Sequence, residues 1–376
     1  MRVVHIVARC VAFALVLVQA PGVTAQDFVI GVIAGLTGAG ASYGRSIVQG
    51  AEMAVREVNA AGGVNGRQLR LRIVDDGSEP ARSAIVMRRL VSESPDLIVG
   101  GWGSAQVLAH LDFPEQSGIP YIVVGATNPR IVTKLNHWVF RVVQSDDLLA
   151  GELARQTQRL GLKRIAVIHD RNAYGSGSRD SFVKALKSLG LAPAEIQSYD
   201  TTDTDFRPQL EKIRGSMPDA LAIFGTVPAA PAIMNQARAM EIQARFIGTD
   251  GLANDALIAG AGKSAEGTLL MGTYHEDVDP EVSAWSRRFR AQNHTGQTLN
   301  PAGAVKEYAA IRDIAVPCLR KAAADVGGLR DCIAGWSGKL LGVAGETRFG
   351  ESGQLAAPPI PIEVRQGAFR LLRSAP

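Results

Sequence analysis

The sequence predicts an α/β protein built from two doubly wound halves. Strand-like and helix-like segments alternate from residue 27 to about residue 272, as expected for consecutive βα units. Several strand-like segments are continuous apolar runs, which is the pattern of parallel strands buried on both faces. The chain has 376 residues, enough for two domains of ordinary size.

Residues 1–25 have the pattern of a secretory signal peptide that is removed from the mature chain. Arg2 and Arg9 form the positive start, residues 11–18 form an apolar run, and Val23-Thr24-Ala25 places small residues at the cleavage site. The apolar run is much shorter than the ~20 residues that a membrane span needs. We therefore expect a soluble protein exported to the periplasm.

The first half of the mature chain is predicted to contain five strands and three helices. Asp27–Ala34 is an uninterrupted apolar strand, and Ser46–Ala60 repeats apolar residues at helical spacing before the stop at Gly62-Gly63. Pro80 suits the first turn of a helix over Ala81–Ser92. The remaining elements of this half are four strands and a short helix: Leu69–Val74, Leu97–Val99, Tyr121–Val124, Trp138–Val143 and Ala105–Ala109.

The second half repeats the alternation. Its strands are short apolar runs that end in polar or glycine-containing turns: Arg164–His169, Ile196–Tyr199, Asp219–Phe224, Arg245–Gly248 and Gly267–Gly272. Its helices carry apolar residues at a spacing of three and four: Leu148–Leu160, Ser178–Leu189, Phe206–Arg214 and Pro228–Met240.

After residue 272 the pattern changes to helices followed by short strands. Two helices are predicted over Pro280–Gln292 and Ala302–Ala324, then a strand over Glu346–Gly350 and a terminal hairpin of Ile360–Val364 with Ala368–Leu372. Breaks near Arg141–Asp147 and Tyr274–Asp279 are the candidate crossings between the two halves.

Two neighbouring strand ends form the candidate ligand site. Leu97-Ile98-Val99 leads into Gly100-Gly101-Trp102-Gly103-Ser104, and the next strand ends at Gly125-Ala126-Thr127. In open α/β sheets, ligands bind at the carboxyl ends of the strands. Ser104 is predicted to cap a helix whose unpaired N–H groups and dipole favour an anion. The alternative is that Ser104 is only a cap and Thr127 only a turn residue.

Composition and motifs argue against several other functions. The net charge is +4, or +2 without residues 1–25, and the basic residues are scattered, so nucleic acid is not an expected partner. The His residues are dispersed and predict no metal site. The loop Gly35–Gly44 resembles a dinucleotide fingerprint, but Tyr43 stands where its third glycine belongs, so we expect this loop to back a ligand cleft with Tyr43 reaching in.

An enzyme is also not expected. Neither Ser104 nor Ser178 has the flanking glycines of a nucleophile elbow, and no pair of acid–base carboxylates stands out. No cofactor is expected either. Cys318 and Cys332 are the two cysteines left in the mature chain, and outside the cytoplasm they could form a disulfide; the alternative is two buried thiols.

The chain resembles the periplasmic solute-binding proteins of branched-chain amino acid ABC transporters, the Leu/Ile/Val-binding family. The matching stretches follow the family's order along the whole mature chain: Gly31-Val32-Ile33, Leu36-Thr37-Gly38, Tyr43-Gly44, Gly50-Ala51-Glu52-Met53-Ala54, Glu57 to Gly66, Asp75-Asp76, Ile119-Pro120, Ala126-Thr127, Phe140-Arg141, His169-Asp170, Tyr174-Gly175, Gly248-Thr249-Asp250-Gly251 and Ser264-Ala265-Glu266-Gly267.

The resemblance implies a monomer of two lobes, joined by three crossovers, that closes on its ligand and delivers it to a membrane permease. The lobes would be residues 27–146 with 275–347, and residues 147–274 with 348–376. The ligand would be a small amphipathic solute, most simply an apolar or aromatic amino acid. The alternatives are an aromatic carboxylate, an amide or a urea-like solute in the same fold, or a role as a soluble ligand sensor.

The resemblance also implies roles for individual residues. Ser104, in the Gly103-Ser104 turn, would hold the ligand carboxylate together with Thr127, which follows Ala126. The Gly125 carbonyl, Thr127 and Asp250 would hold an α-ammonium. The cleft would be lined by aromatic and polar side chains, namely Tyr43, Trp102, Tyr174 and Thr226.

This chain departs from the family pattern at several of these positions. Trp102 is large where an aliphatic residue is common, and Thr226 stands where the archetype has an aromatic residue. Cysteines that join two loops in some members are replaced by Ser78 and Gly103, so any disulfide would lie at Cys318–Cys332.

Overall fold

The computed structural model describes residues 26–133, 137–227, 229–293, 301–322 and 325–372. The predicted signal peptide, residues 1–25, lies outside the described residues. The α/β prediction is confirmed, with two mainly parallel sheets flanked by helices.

Fourteen strands are present in the described part of the chain. They are β1 Phe28–Ala34, β2 Leu69–Asp75, β3 Leu97–Gly100, β4 Tyr121–Val123, β5 Val139–Arg141, β6 Ile165–Asp170, β7 Glu195–Tyr199, β8 Ala220–Phe224, β9 Arg245–Thr249, β10 Leu269–Gly272, β11 Ser337–Lys339, β12 Glu346–Arg348, β13 Ile360–Arg365 and β14 Ala368–Leu371.

Thirteen α-helices lie in the same described part. They are α1 Ala41–Ala60, α2 Pro80–Ser92, α3 Ser104–His110, α4 Asp112–Ser117, α5 Asp146–Arg159, α6 Ala173–Ser188, α7 Arg207–Gly215, α8 Ala229–Ala239, α9 Asp255–Ala261, α10 Pro280–Gln292, α11 Pro301–Ala309, α12 Val316–Ala322 and α13 Val326–Ala334.

The first sheet has the order β2-β1-β3-β4-β5, and all of its pairs are parallel. Its central strands β1, β3 and β4 are almost entirely buried, as their continuous apolar runs require. The order reverses between β1 and β3. The loops that leave these two strands therefore diverge and open a crevice at the carboxyl edge of the sheet.

The second sheet has the order β14-β13-β10-β9-β8-β6-β7. Strands β6 to β10 pair in parallel, whereas β13 joins β10 antiparallel and continues into the hairpin with β14. The terminal hairpin predicted from the sequence is thus the edge of this sheet. Here the order reverses between β6 and β8, which opens a second crevice at the carboxyl edge.

The chain passes between the two sheets three times: after β5, after β10 and before β13. Between the second and third passages, α11 returns to the first sheet and packs against α1. The two helices touch at Gly50, where an added Cβ would lie 2.1 Å from the Ala304 carbonyl oxygen. Only glycine fits there, and its missing side chain lets α11 pack closely against α1.

Three predicted helices differ from the structure. Helices α1 and α6 begin five residues before the predicted Ser46 and Ser178, so Tyr43 and Tyr174 lie in first helical turns and not in loops. The predicted helix Ala302–Ala324 is divided into α11, a π-helical segment Ala310–Ala315, and α12.

Cys318 and Cys332 form a disulfide between α12 and α13, with their Cα atoms 5.5 Å apart. Among the described residues, no helix combines the length and apolar character needed to cross a membrane. The same residues contain no cluster of three or more side chains arranged to hold a metal ion.

Candidate functional site

A cleft of about 420 Å³ lies between the carboxyl edges of the two sheets. Loops after β1, β2, β3 and β4 form one wall, and loops after β6, β7, β8 and β9 form the other. Nine of the ten predicted binding residues line this cleft: Tyr43, Trp102, Gly103, Ser104, Gly125, Thr127, Tyr174, Thr226 and Asp250.

Ala126 is the predicted site residue that does not line the cleft. Its side chain is buried on the opposite side, in a hydrophobic cluster with Ile33 and Tyr121. Its carbonyl oxygen accepts a hydrogen bond from the Arg141 guanidinium at 3.3 Å. Ala126 therefore supports the loop, while its neighbours Gly125 and Thr127 face the cleft.

Ser104 reaches the cleft in a different role from the predicted helix cap. Gly103 occupies the cap position, and Ser104 is the first residue of α3. Its hydroxyl oxygen accepts a hydrogen bond from the backbone N–H of Asn128 at 3.3 Å. This bond ties the start of α3 to the loop after β4, so the two strand ends form one polar surface.

Thr127 offers this surface a hydroxyl group that has no well-formed hydrogen bond. Its Oγ1 is buried and interacts only weakly with the Asp146 carboxyl among the described residues. It lies near Asp146, whose pKa burial raises to about 6, and the hydroxyls of Thr127 and Ser178 moderate that rise. A buried polar atom without a well-formed hydrogen bond is costly, and this one belongs to a residue that lines the cleft.

A pair of aromatic side chains lies beside the polar residues on the same wall of the cleft. Tyr43 stacks on Trp102 with ring centroids 4.3 Å apart and an angle of 20° between the planes. Trp102 in turn lies against Gly125, where an added Cβ would approach the indole ring to 2.4 Å. Gly125 is therefore required for this position of Trp102, and the pair presents a flat apolar surface to a guest.

Tyr43 connects this wall to the second sheet, and Tyr174 supports the contact from within the second half. The Tyr43 hydroxyl donates to the Gly251 carbonyl at 3.0 Å across the cleft. The Tyr174 hydroxyl accepts from the Gly251 N–H at 3.1 Å and bonds the Thr249 hydroxyl at the same distance. Burial raises the pKa of both tyrosines, so both stay neutral.

Asp250 lines the cleft, but its carboxylate already has partners within the protein. One oxygen accepts from the Thr273 N–H at 3.0 Å and from the Thr273 hydroxyl at 2.6 Å. The other lies 3.2 Å from the Lys306 ammonium, which also bonds the Thr273 hydroxyl. Sequence reasoning missed Lys306, because it lies on a helix 56 residues away with no local signal of a site.

The comparisons with known proteins agree with this geometry. A family model described as "Periplasmic binding protein" matches residues 28–326. The chain belongs to the periplasmic binding protein family. A relative from Pseudomonas aeruginosa, named "Amino acid binding protein", is 32% identical over 292 residues, which are 76% of this chain and 78% of the relative.

Two solved structures resemble this periplasmic binding protein along nearly its whole length. One is a branched-chain amino acid transporter substrate-binding protein from Streptococcus pneumoniae in complex with isoleucine. It is 25% identical, has a TM-score of 0.81, and the match covers 92% of this chain and 99% of that one. The other is a solute-binding protein from Rhodopseudomonas palustris in complex with benzoate. It is 20% identical, has a TM-score of 0.83, and the match covers 92% of this chain and 95% of that one. The second likeness shows the fold alone.

Hydrogen bonds at Ser78 connect the cleft loops of this periplasmic binding protein. The Ser78 hydroxyl donates to the Thr37 carbonyl at 2.7 Å and accepts from the Gly40 N–H at 3.0 Å. The Gln106 amide donates to the Ser78 carbonyl. The loops after β1, β2 and β3 are thus held together without a covalent link.

A buried polar chain runs from the cleft into the first sheet. Asp76, which lines the cleft, accepts from the Ser83 hydroxyl at 3.2 Å, and Ser83 is 2.8 Å from Nδ1 of His110. Nε2 of His110 lies 3.1 Å from the Tyr121 hydroxyl. Burial raises the pKa of Asp76 and lowers that of His110 to about 3, so the imidazole is neutral.

Proposed function

We propose that this protein is the extracytoplasmic solute-binding component of an ABC importer. It holds a small amphipathic solute in the cleft between the two sheets and delivers it to a membrane permease. It carries out no reaction on the solute. Membership of the periplasmic binding protein family supports the location outside the cytoplasm, and export through the signal peptide of residues 1–25 is part of the proposal.

The observation that carries the proposal is the division of the cleft into a polar end and a flat aromatic surface. Ser104 and the Thr127 hydroxyl lie at the polar end, where the backbone N–H groups at the start of α3 also point. We assign the solute's carboxylate to this end. Tyr43, Trp102 and neighbouring residues of the wall then contact its apolar body.

Two classes of solute fit this division. The names of the relatives favour an apolar or aromatic amino acid, whose α-ammonium would be held by Asp250 and the Gly125 carbonyl. The pairing of Asp250 with Lys306 favours a second class, a carboxylate that lacks the amine. Tyr174 and Thr226 would contact the solute from the second sheet in either case.

Binding would close two lobes around the solute. We propose the lobes to be residues 27–146 with 275–347 and residues 147–274 with 348–376, moving as a monomer about the three passages between the sheets. Because the cleft lies between the two sheets, a solute bonded to both walls would favour the closed arrangement.

A thermal-shift screen of the mature chain, residues 26–376, tests the proposed function. The panel contains apolar and aromatic amino acids, their counterparts without the amine, and amides. A true solute at 100 times its dissociation constant should add about 2.7 kcal/mol to the free energy of unfolding and raise the melting temperature. If no member of the panel raises it, the proposed solute class is wrong.

A further inference from the structure

We propose that Lys306 is a specificity-determining residue that selects solutes without an α-ammonium. This inference rests on the proposed function, since it concerns the solute of the same cleft. Lys306 gives Asp250 a counter-charge from within the protein. The charge of the Asp250 carboxylate, which was expected to bind the amine of the solute, is therefore already balanced by Lys306.

The pair is buried and well bonded. The Lys306 and Asp250 side chains are only 7% and 4% exposed, and their charged atoms are 3.2 Å apart. The Lys306 ammonium also bonds the Thr273 hydroxyl and lies 5.9 Å from the centre of the Trp102 ring. Asp250 and Trp102 line the cleft whereas Lys306 does not, so the lysine lies behind them.

Lys306 is held in this place by the fold. All nine residues of α11 are buried, and the missing side chain at Gly50 lets this helix pack closely against α1. Among the described residues, Asp250 is the one carboxylate that pairs with Lys306. Removing one member of a buried ion pair leaves an uncompensated charge, so a solute cannot easily displace the lysine.

An α-ammonium at Asp250 would be repelled by Lys306. One Asp250 oxygen already accepts two hydrogen bonds from Thr273, so an incoming ammonium would use the oxygen that faces Lys306. At ordinary hydrogen-bond lengths, the two ammonium nitrogens would then lie within about 6 Å of each other. At an effective dielectric constant of about 20, this repulsion lowers the affinity for the amine roughly a hundredfold relative to an Asp250 that has no lysine beside it, and it cancels about half of the attraction that the carboxylate exerts on the ammonium.

A carboxylate without the amine avoids this repulsion. Its negative group would bind at Ser104 and Thr127, where two hydroxyl groups can donate. Its apolar body would approach a pair, Asp250 with Lys306, that has no net charge. The structure therefore assigns the solute to the class of apolar or aromatic monocarboxylates.

Matched solutes test the class directly. Titration calorimetry compares L-leucine with 4-methylpentanoate, and L-phenylalanine with 3-phenylpropanoate, on the mature wild-type protein. In each pair only the amine differs, and we expect the acid without the amine to bind severalfold more tightly or better, because the attraction left at the Asp250–Lys306 pair does not repay the loss of the ammonium's hydration. If either amino acid binds as tightly as its counterpart, the inference is overturned while the proposed function stands. If none of the four binds, both are overturned.

Variants test the assignment to Lys306. Lys306→Met should expose the charge of Asp250 and shift the preference toward the amino acid by roughly a hundredfold. Lys339→Met is the matched control, because Lys339 is also paired, with Asp279 and Glu281, but at an exposed site. An unchanged preference in Lys306→Met overturns the assignment.

A second variant keeps the assignment testable if Lys306→Met does not fold. Asp250→Asn removes the negative charge and leaves the lysine unmatched near the cleft. The acid without the amine should then bind several-fold more tightly than to the wild type. Weaker binding of that acid would show that Asp250 contacts the solute itself, and would overturn the assignment.

Discussion

At the scale of single residues, the cleft contains two kinds of buried polar group. Asp250 and the Tyr174 hydroxyl already have partners inside the protein, whereas the Thr127 hydroxyl has no well-formed hydrogen bond among the described residues. A buried group that is hydrogen-bonded orients its neighbours. A buried group that is not has lost its hydrogen bonds to water, and it regains a hydrogen bond only when a ligand binds. Thr127 is therefore the residue whose side chain should matter most for affinity and least for stability.

Thr127→Val should weaken solute binding with little effect on folding. Loss of one hydrogen bond to a carboxylate should lower the affinity by roughly tenfold to a hundredfold, measured by calorimetry. The free energy of unfolding should change by no more than about 1 kcal/mol, because Thr127 makes no well-formed internal hydrogen bond and interacts only weakly with the Asp146 carboxyl. Thr268→Val is the control, since Thr268 is equally buried and unpartnered but does not line the cleft. Equal affinities of the two variants would contradict a ligand role for Thr127.

His110 should make the protein less stable as the pH falls below 6.5. Burial lowers its pKa in the folded state to about 3, so the unfolded chain takes up the proton first and stability is lost as the pH decreases. Between pH 7 and pH 5 this loss amounts to about 2 kcal/mol. In urea denaturation at both pH values, the free energy of unfolding of His110→Gln should not fall by this amount between pH 7 and pH 5. His137→Gln, at an exposed position, should retain this loss, and a similar pH dependence in both variants would contradict this role of His110.

The residues at the strand ends of the site could be predicted from the sequence, whereas Lys306 could not, and the difference has a physical reason. Ser104, Thr127 and Asp250 each follow a buried strand, and the carboxyl ends of parallel strands meet in one crevice, so their proximity could be predicted. Lys306 belongs to no strand end. It reaches Asp250 because α11 packs against α1 at Gly50, and that contact leaves no periodic pattern in the sequence. The partner of Asp250 therefore emerged from tertiary packing alone.

At the scale of elements, the largest errors concern where helices begin. Glycines near Tyr43 and Tyr174 suggested loops, yet they lie in first helical turns. An added Cβ at Gly44 would be 2.1 Å from the Gly35 carbonyl oxygen, and one at Gly175 would be 2.3 Å from that of Asp170. These glycines allow a helix to start directly against the preceding strand end. A residue that breaks helices in isolation is here required by packing.

The helices after residue 300 should depend on their disulfide. Cys318 and Cys332 join α12 to α13 and close a loop with a sequence separation of 14. By the chain-entropy estimate, the double variant Cys318→Ser/Cys332→Ser should lose about 3 kcal/mol of unfolding free energy. Solute affinity should stay within about twofold, because neither helix lines the cleft. Reducing agent should lower the melting temperature of the wild type but not of the variant; an equal effect on both would contradict a stabilising disulfide.

At the scale of the whole molecule, the two sheets are connected across the cleft by contacts at several points. Tyr43 bonds Gly251, the Asn128 amide donates to the Ala173 carbonyl at 2.7 Å, and Lys306 pairs with Asp250. The doubly wound topology brings these residues together, because both sheets present their carboxyl edges to the same space. These contacts hold the two walls together in the described arrangement. Part of the energy that closes the cleft comes from the protein and not from the solute.

Tyr43→Phe should shift the ligand-free protein toward an open arrangement. The variant keeps the stack on Trp102 but removes the 3.0 Å hydrogen bond to Gly251, which is worth about 1 kcal/mol. If closing precedes tight binding, the apparent affinity falls with the population of the closed form, by about fivefold. Small-angle X-ray scattering should show a larger radius of gyration without solute and the wild-type value when solute saturates the protein. Tyr308→Phe is the control, because that hydroxyl bonds Glu57 of α1 and not the opposite wall. If the two variants have the same radius of gyration, both with and without solute, the Tyr43–Gly251 hydrogen bond does not hold the cleft closed. The Lys306–Asp250 pair would then be the main internal contact that holds the two walls together.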